Sequence, residues 1–268
     1  MNCEDFILKN LDKIPFKDDI AESYSTDFYK FSFKQVYKNN ALIDITKIKG
    51  TNHPDYKNLT WRNFLKSLKR GSNLNHLYCS GEERLSIKYY YDIGYRRTCL
   101  SDSAWSINVL NDEEYYICDG NHRSTISKFL ATLDVIPKMI PIPNVYFYYF
   151  NKNDIVLYDR LKRAIKRLNK NAIENRFYIK LEKEQVLLES KATANERIED
   201  YEVIYKLTIF FHAHEEISVD REYSNILDLK KDLFQELIGY KKRTKKNVFE
   251  KALEKVITKI LYYGASKL

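Results

Sequence analysis

The stretch that most constrains this chain runs from residue 114 to residue 150. An aromatic and aliphatic run, Tyr115-Tyr116-Ile117-Cys118, stops abruptly at Asp119-Gly120. Ile126, Phe129, Leu130 and Leu133 then recur at i, i+3, i+4 and i+7, the spacing that gives a helix one apolar stripe to lay on a sheet. A second apolar run follows over residues 139–150, with Pro141 and Pro143 inside it. Upstream, Ile107 and Val109 lead through Asn111-Asp112-Glu113 back into residues 114–118, which reads as a hairpin. Strand, tight turn, helix and strand in immediate succession predict an α/β or α+β domain, a small mixed sheet with helices packed on it.

The flanks are read more coarsely. Residues 1–40 are set apart as an N-terminal helical segment, with residues 1–30 expected to be helical and of mixed charge and followed by the aromatic stretch Phe31 to Tyr37. Leu42 to Ile48 alternates like a strand, and a turn is expected over residues 50–54. Trp61, Phe64, Leu65 and Leu68 have helical spacing, with Gly71 as the stop. Residues 72–104 show no clear period. A boundary is placed near residue 151, so that residues 41–150 form the central domain and residues 151–268 a basic, mixed α/β C-terminal region. That region is expected to hold a basic helix to about Lys170, strands over 177–188 and 201–212, and helices over 226–238 and 248–263.

With 268 residues the chain is long enough for a substantial core, and no apolar run approaches the roughly 18 residues a membrane span needs. No membrane partner is expected. Residues 1–10 lack a basic start followed by an apolar run, so no secretory signal is visible and a cytoplasmic location is expected. Cys3, Cys79, Cys99 and Cys118 show no CxxC spacing and are read as ordinary thiols. The net charge is +8, and most of the excess is C-terminal: residues 1–150 hold 20 basic and 18 acidic side chains, residues 151–268 hold 25 and 19. Arg160, Lys162, Arg163, Lys166, Arg167 and Lys170 crowd one helix, and Lys241, Lys242, Arg243, Lys245 and Lys246 form a second cluster. Such clusters suit a polyanion, nucleic acid above all, and equally suit a solvated helix face.

The chemistry concentrates in Asp119 to Thr125. A helix start directs unpaired backbone amides and the positive end of its dipole at one point, so a phosphate there is stabilised before any side chain contributes. Gly120 permits close approach, Asn121 sits at the first helical position, and His122 and Arg123 add donors. Ser124 and Thr125 offer hydroxyls, and Asp119 is placed to hold a metal-bound water or accept a proton. The competing reading is a helix cap, with Asp119 and Asn121 capping, Arg123 paired at the surface and His122 packed inertly.

Asp119-Gly120-Asn121-His122-Arg123, between a strand and an amphipathic helix, resembles the DGxHR signature of the ParB/sulfiredoxin superfamily, over roughly residues 41–150. The resemblance implies a small α/β domain that binds a nucleoside di- or triphosphate, with Gly120, His122 and Arg123 on phosphate-contacting positions. It implies ATP or CTP with Mg²⁺ as cofactors and action at phosphorus, as a nuclease or NTPase with Asp119, His122 and Arg123 in the catalytic roles. Asn121 stands where sulfiredoxins carry their reactive cysteine, which excludes sulfinic acid reduction. Partition proteins usually carry GERR-type residues, and no helix-turn-helix is evident after residue 150. A DNA-binding regulator with a nucleotide switch and a small-molecule kinase remain the alternatives, and self-association is left open.

Other candidates carry less. Gly81-Glu82-Glu83-Arg84 resembles a GERR-type turn but lacks the flanking strand and helical stripe. Asp44 is a second candidate carboxylate, and Arg96 and Arg97 either clamp phosphate or solvate a loop. His212, His214 and Glu216 alternate at strand spacing, a weak metal pattern. Trp61 and Trp105 are read as core. No GxxxxGKS, HExxH or GxSxG motif occurs.

Overall fold

A computed structural model describes residues 3–24, 26–68, 105–170, 177–211 and 217–244. Gly71, residues 72–104 and the helix expected over 248–263 lie outside the described residues. The fold is mixed α/β, with eight strands and five α-helices among the described residues. None of the described helices is long and apolar enough to cross a membrane. The chain divides into two compact units, one of Met1–Thr26, Lys34–Phe150 and Glu189–Asp200, the other of Asp27–Phe33, Asn151–Leu188 and Tyr201–Leu268.

The first unit is built on β1 (Lys34–Asp44), β2 (Ile48–Thr51), β3 (Ser106–Leu110), β4 (Glu114–Asp119) and β5 (Met139–Tyr149), in the spatial order β2-β4-β3-β5-β1. β3 runs antiparallel to β4 and parallel to β5, β2 is parallel to β4, and β1 pairs antiparallel with β5 from Lys34 opposite Tyr149 to Asp44 opposite Met139. All five residues of the central strand β3 are buried, as a strand covered on both faces requires. The hairpin forms because Asn111 and Asp112 tolerate the left-handed backbone, with φ of 50° and 58°, that a tight turn matching the strand twist demands. Asn111 then ties the turn to the end of β5, donating to the Phe150 carbonyl at 3.1 Å and accepting from the Phe150 amide at 2.9 Å.

Three helices belong to this unit: α1 (Cys3–Lys9), α2 (Trp61–Ser67) and α3 (Asn121–Thr132). α2 starts where Thr60 Oγ1 accepts from the Asn63 amide at 3.3 Å, and it buries Trp61, Phe64 and Leu65. α3 buries Ile126, Phe129 and Leu130 as its apolar stripe predicts, with Trp61 and Trp105 in the same core. Four sequence expectations change. Among the described residues of 1–30 only Cys3–Lys9 is α-helix, followed by 3-10 turns, and Gly50 and Thr51 belong to β2 instead of the turn expected over 50–54. Leu42 to Ile48 is not one strand: Asp44 Oδ1 accepts from the Thr46 amide at 3.1 Å and from its hydroxyl at 2.6 Å, a local bond that turns residues 45–47 into a 3-10 helix between β1 and β2. Residues 34–40 are strand, because pairing with β5 supplies ladder bonds that local propensity does not foresee.

In the second unit, α4 (Lys152–Asn169) starts at Asn151, whose side chain accepts from the Asn153 amide, and buries Tyr158, Leu161, Ile165 and Leu168. β6 (Phe177–Ala192) and β7 (Glu196–Phe211) form a long hairpin whose tip, Glu189–Asp200, belongs to the first unit, where Glu196–Asp200 pairs with β1. The expected break over 189–200 is confined to the turn at Thr193–Asn195, where the Thr193 amide donates to the Glu196 carbonyl. β8 (Ile217–Tyr223), absent from the sequence reading, pairs antiparallel with β7. It leads into α5 (Ile226–Thr244), and Arg221 reaches that helix at Asp232 (3.1 Å) and Glu236 (2.7 Å).

Candidate functional site

β4 carries Cys118 and Asp119 to the surface and the chain turns at Gly120 with φ 77° and ψ 39°. That left-handed conformation strains any residue with a Cβ, and a Cβ here would lie 2.8 Å from Trp105 Cδ1 and 3.2 Å from Trp105 Cα. Gly120 is therefore required twice, by the backbone and by the ring packed against it. The Asp119 carboxylate accepts from the Gly120 amide at 2.6 Å, and the Gly120 carbonyl accepts the first helical bond from the Ser124 amide at 2.9 Å. Unlike α2 and α4, α3 has no side-chain cap. The amides of Asn121, His122 and Arg123 thus have no partner within the helix and face out from its positive end.

The seven motif residues separate into two groups. Asp119 is exposed and His122 and Arg123 are half-buried, so these three side chains are reachable from solvent at the helix start. Arg123 lays its guanidinium carbon 5.6 Å from the centre of the Trp105 ring, a cation–π contact that aims the side chain along the helix start. Burial, and then the neighbouring Arg123 charge, hold His122 below its usual value of 6.5, so the imidazole is neutral at pH 7. Gly120, Asn121, Ser124 and Thr125 are buried. In place of a phosphate contact, the fully buried Ser124 hydroxyl accepts from Trp105 Nε1 at 2.8 Å. Thr125 Oγ1 and Asn121 Oδ1 are also inside, without a described hydrogen-bond partner.

α3 holds a residue that sequence reasoning passed over. Lys128 is 5% exposed, donates to the Thr46 carbonyl at 2.6 Å and the Ile48 carbonyl at 2.8 Å, and sits 4.3 Å from the Phe16 ring centre and 4.9 Å from that of Trp61. Burial lowers its pKa to about 8 against the opposing pull of Asp44 and Asp19. It ties α3 to the 3-10 turn that Asp44 nucleates, which gives Asp44 a structural task instead of a place among the motif side chains. Ser124, Ser127 and Ala131 on the face away from the stripe were the signal that α3 is buried all round. A second unforeseen cluster covers β3 and β4: Tyr24 accepts from Asn108 at 2.9 Å, and Tyr116 donates to Glu22 at 3.2 Å.

Of the basic candidates, Arg160, Arg163 and Arg167 are exposed on α4. Lys241, Lys242 and Arg243 fall in the last turn of α5, while Lys245 and Lys246 lie outside the described residues. Glu82, Glu83, Arg96, Arg97, His212, His214 and Glu216 lie outside them too. Among the described residues no three His, Cys, Asp or Glu side chains converge to hold a metal ion. Asp119 fits the smaller role of one carboxylate on a Mg²⁺ otherwise held by substrate phosphates and water, since only one of its oxygens is engaged by Gly120. No family model, no curated protein and no solved structure matches this chain.

Proposed function

We propose that the first unit is a ParB/sulfiredoxin-like phosphate-binding domain that takes a nucleotide or nucleic-acid phosphate at residues 119–123 and acts at phosphorus, as an NTPase or nuclease in the cytoplasm. The observation that carries this reading is the uncapped start of α3, with three amides, Arg123, a neutral imidazole and an exposed carboxylate around one left-handed glycine. The phosphate accepts from the amides of Asn121, His122 and Arg123, and the guanidinium adds the charge that compensates a phosphoryl group. A neutral His122 accepts a proton from an attacking water or hydroxyl, and Asp119 shares that task or holds Mg²⁺. Bound Mg²⁺ supplies charge neutralisation at the transferring phosphoryl oxygens. ATP or CTP is the expected nucleotide, and a nucleic acid is the partner assigned to the basic C-terminal region.

One observation favours a second reading, a non-catalytic DNA-binding regulator in which the nucleotide is a switch. The Asp119 carboxylate is engaged by the Gly120 amide, a structural use that competes with proton transfer. The two readings separate in one experiment on wild type, Asp119→Asn and Arg123→Ala. Melting temperature with ATP, CTP, ADP and GTP plus Mg²⁺ reads binding, and phosphate release and oligonucleotide cleavage read turnover. A ligand at about 100 times its Kd stabilises by ~2.7 kcal/mol, a shift of about 5–10 °C for a chain of this size. The enzyme reading expects a shift in wild type and Asp119→Asn, its loss in Arg123→Ala, and turnover in wild type alone. A shift without turnover selects the regulator, and no shift with any nucleotide overturns both.

A further inference from the structure

In the second unit, α4 and the start of β6 enclose an open groove of about 900 Å³. Its geometry is fixed by Asn169 near the end of α4, whose amide group donates to the Ile179 carbonyl at 2.7 Å and accepts from the Ile179 amide at 3.0 Å. The buried Ile165, Ile179 and Leu181 also line it, so the helix and strand that form its walls are anchored in a core. Lys162, Arg163, Lys166 and Lys170 line the helix side, spaced so that all four fall on one face. Lys180 adds a fifth cation from the strand, paired with Glu182 at 2.8 Å, and the one carboxylate in the lining is Asp159. No described carboxylate pairs with any of the four helix cations. Arg160 and Arg167, seven residues apart, are outside this lining and sit on a separate stripe, so the helix has one charged face shaped into a groove and another that is not.

The same groove contains an aromatic ring in the open. Tyr178 is 43% exposed and packs beside Phe210, itself 39% exposed, with ring centres 6.1 Å apart. A row of cations matches a chain of phosphates, and an exposed ring among them matches the face of a base. A duplex offers phosphates but buries its base faces in the stack, whereas a single strand offers both. We infer that the groove between α4 and β6 binds single-stranded nucleic acid, with Lys162, Arg163, Lys166 and Lys170 on the phosphates and Tyr178 stacking a base. Because α4 rises about 1.5 Å per residue, the cations from Lys162 to Lys170 span ~12 Å, room for two or three nucleotides of an extended strand. The inference rests on the nucleic-acid part of the function proposed above and is independent of the loop at Gly120.

Fluorescence anisotropy on the full chain tests it, using end-labelled fifteen-nucleotide oligo-dT, oligo-U and a mixed-sequence duplex, each titrated between 50 and 200 mM salt. Two or three neutralised phosphates predict a slope of log K on log[salt] of about −1.4 to −2 for the single strands. Lys162→Gln with Lys166→Gln removes two of the four helix cations and makes the slope about half as steep. Tyr178→Ala weakens single-strand binding roughly tenfold with the slope unchanged, and Tyr178→Phe restores it. Preference for oligo-dT or for oligo-U, or equal binding of both, supports the site and identifies the sugar it accepts. Duplex bound as tightly as single strands, an unchanged slope in the double variant, or full affinity in Tyr178→Ala overturns it. Nucleotide stabilisation, read on the Lys162→Gln/Lys166→Gln variant, separates this outcome from failure of the phosphate loop: the double variant keeps the melting shift that the wild type shows with nucleotide and loses affinity for oligo-dT. Melting curves of each variant confirm the fold, and Lys162, Lys166 and Tyr178 are all exposed.

Discussion

Replacing Lys128 with Met removes a pH dependence of stability that the wild-type chain carries through this one buried cation. The ammonium is 5% exposed, bonded to the Thr46 and Ile48 carbonyls and flanked by the rings of Phe16 and Trp61, and burial brings its pKa from 10.5 to about 8. A lowered lysine pKa means that the folded chain releases the proton first. Below pH 8 both states are charged and stability is flat. Between pH 8 and pH 10.5 the unfolded state binds more protons than the folded one, so stability rises with pH. At about 1.4 kcal/mol per pH unit, that linkage adds about 2–3 kcal/mol to the wild type between pH 7 and pH 10. Lys128→Met lacks the gain and leaves the buried Ile48 carbonyl and the half-buried Thr46 carbonyl without their donor, at a pH-independent cost of about 1–3 kcal/mol for the first and less for the second. Urea unfolding of both proteins at pH 7, 8, 9 and 10 reads the difference, and titration of the tyrosines, common to both, cancels from it. A gap between the two proteins that widens by 2–3 kcal/mol toward pH 10 is expected. A gap constant to within about 0.5 kcal/mol refutes the assignment of a buried, destabilised charge at Lys128.

Three further outcomes follow from the loop. Gly120→Ala places a Cβ 2.8 Å from Trp105 in a left-handed turn and is expected to cost about 1–3 kcal/mol in urea unfolding. Trp105→Phe deletes the bond to Ser124 and is expected to cost about 1–3 kcal/mol, with the Arg123 ring contact retained, so nucleotide stabilisation survives in the folded fraction. His122 has a folded-state pKa below its unfolded value of 6.5, so wild type loses stability relative to His122→Gln as pH falls below 6.5, a difference measurable by urea unfolding at pH 7 and pH 5.

What was legible in the sequence was local. The hairpin, α3 and β5 follow from period and turn chemistry within a few residues of one another, and the Asp119-Gly120 break is a sharp local signal. What was not legible depends on residues far apart in sequence. β1 begins at Lys34 because β5 lies beside it, and nothing in Lys34 to Asn40 spells a strand. Asp44 interrupts the alternation of Leu42 to Ile48 by a side-chain bond that hydrophobicity cannot register. In the candidate site, Asp119, His122 and Arg123 are reachable as their types suggested, but the hydroxyl of Ser124 is claimed by Trp105, nineteen residues earlier. Lys128 looks like a solvent-facing lysine until the carbonyls of Thr46 and Ile48 arrive from the neighbouring turn. The basic residues of α4 read as one cluster, and only the position of β6 separates those on the groove from Arg160 and Arg167.

The central claim is that phosphate binds at the start of α3, and the backbone amides there report it without a mutation. In ¹H–¹⁵N spectra of the wild-type chain titrated with ATP or CTP and Mg²⁺, phosphate acceptance predicts saturable shifts of the Asn121, His122 and Arg123 amides. Shifts confined to α4 and β6, or no shift at residues 121–123 at millimolar nucleotide, contradict it and leave Gly120 as the turn that makes room for Trp105.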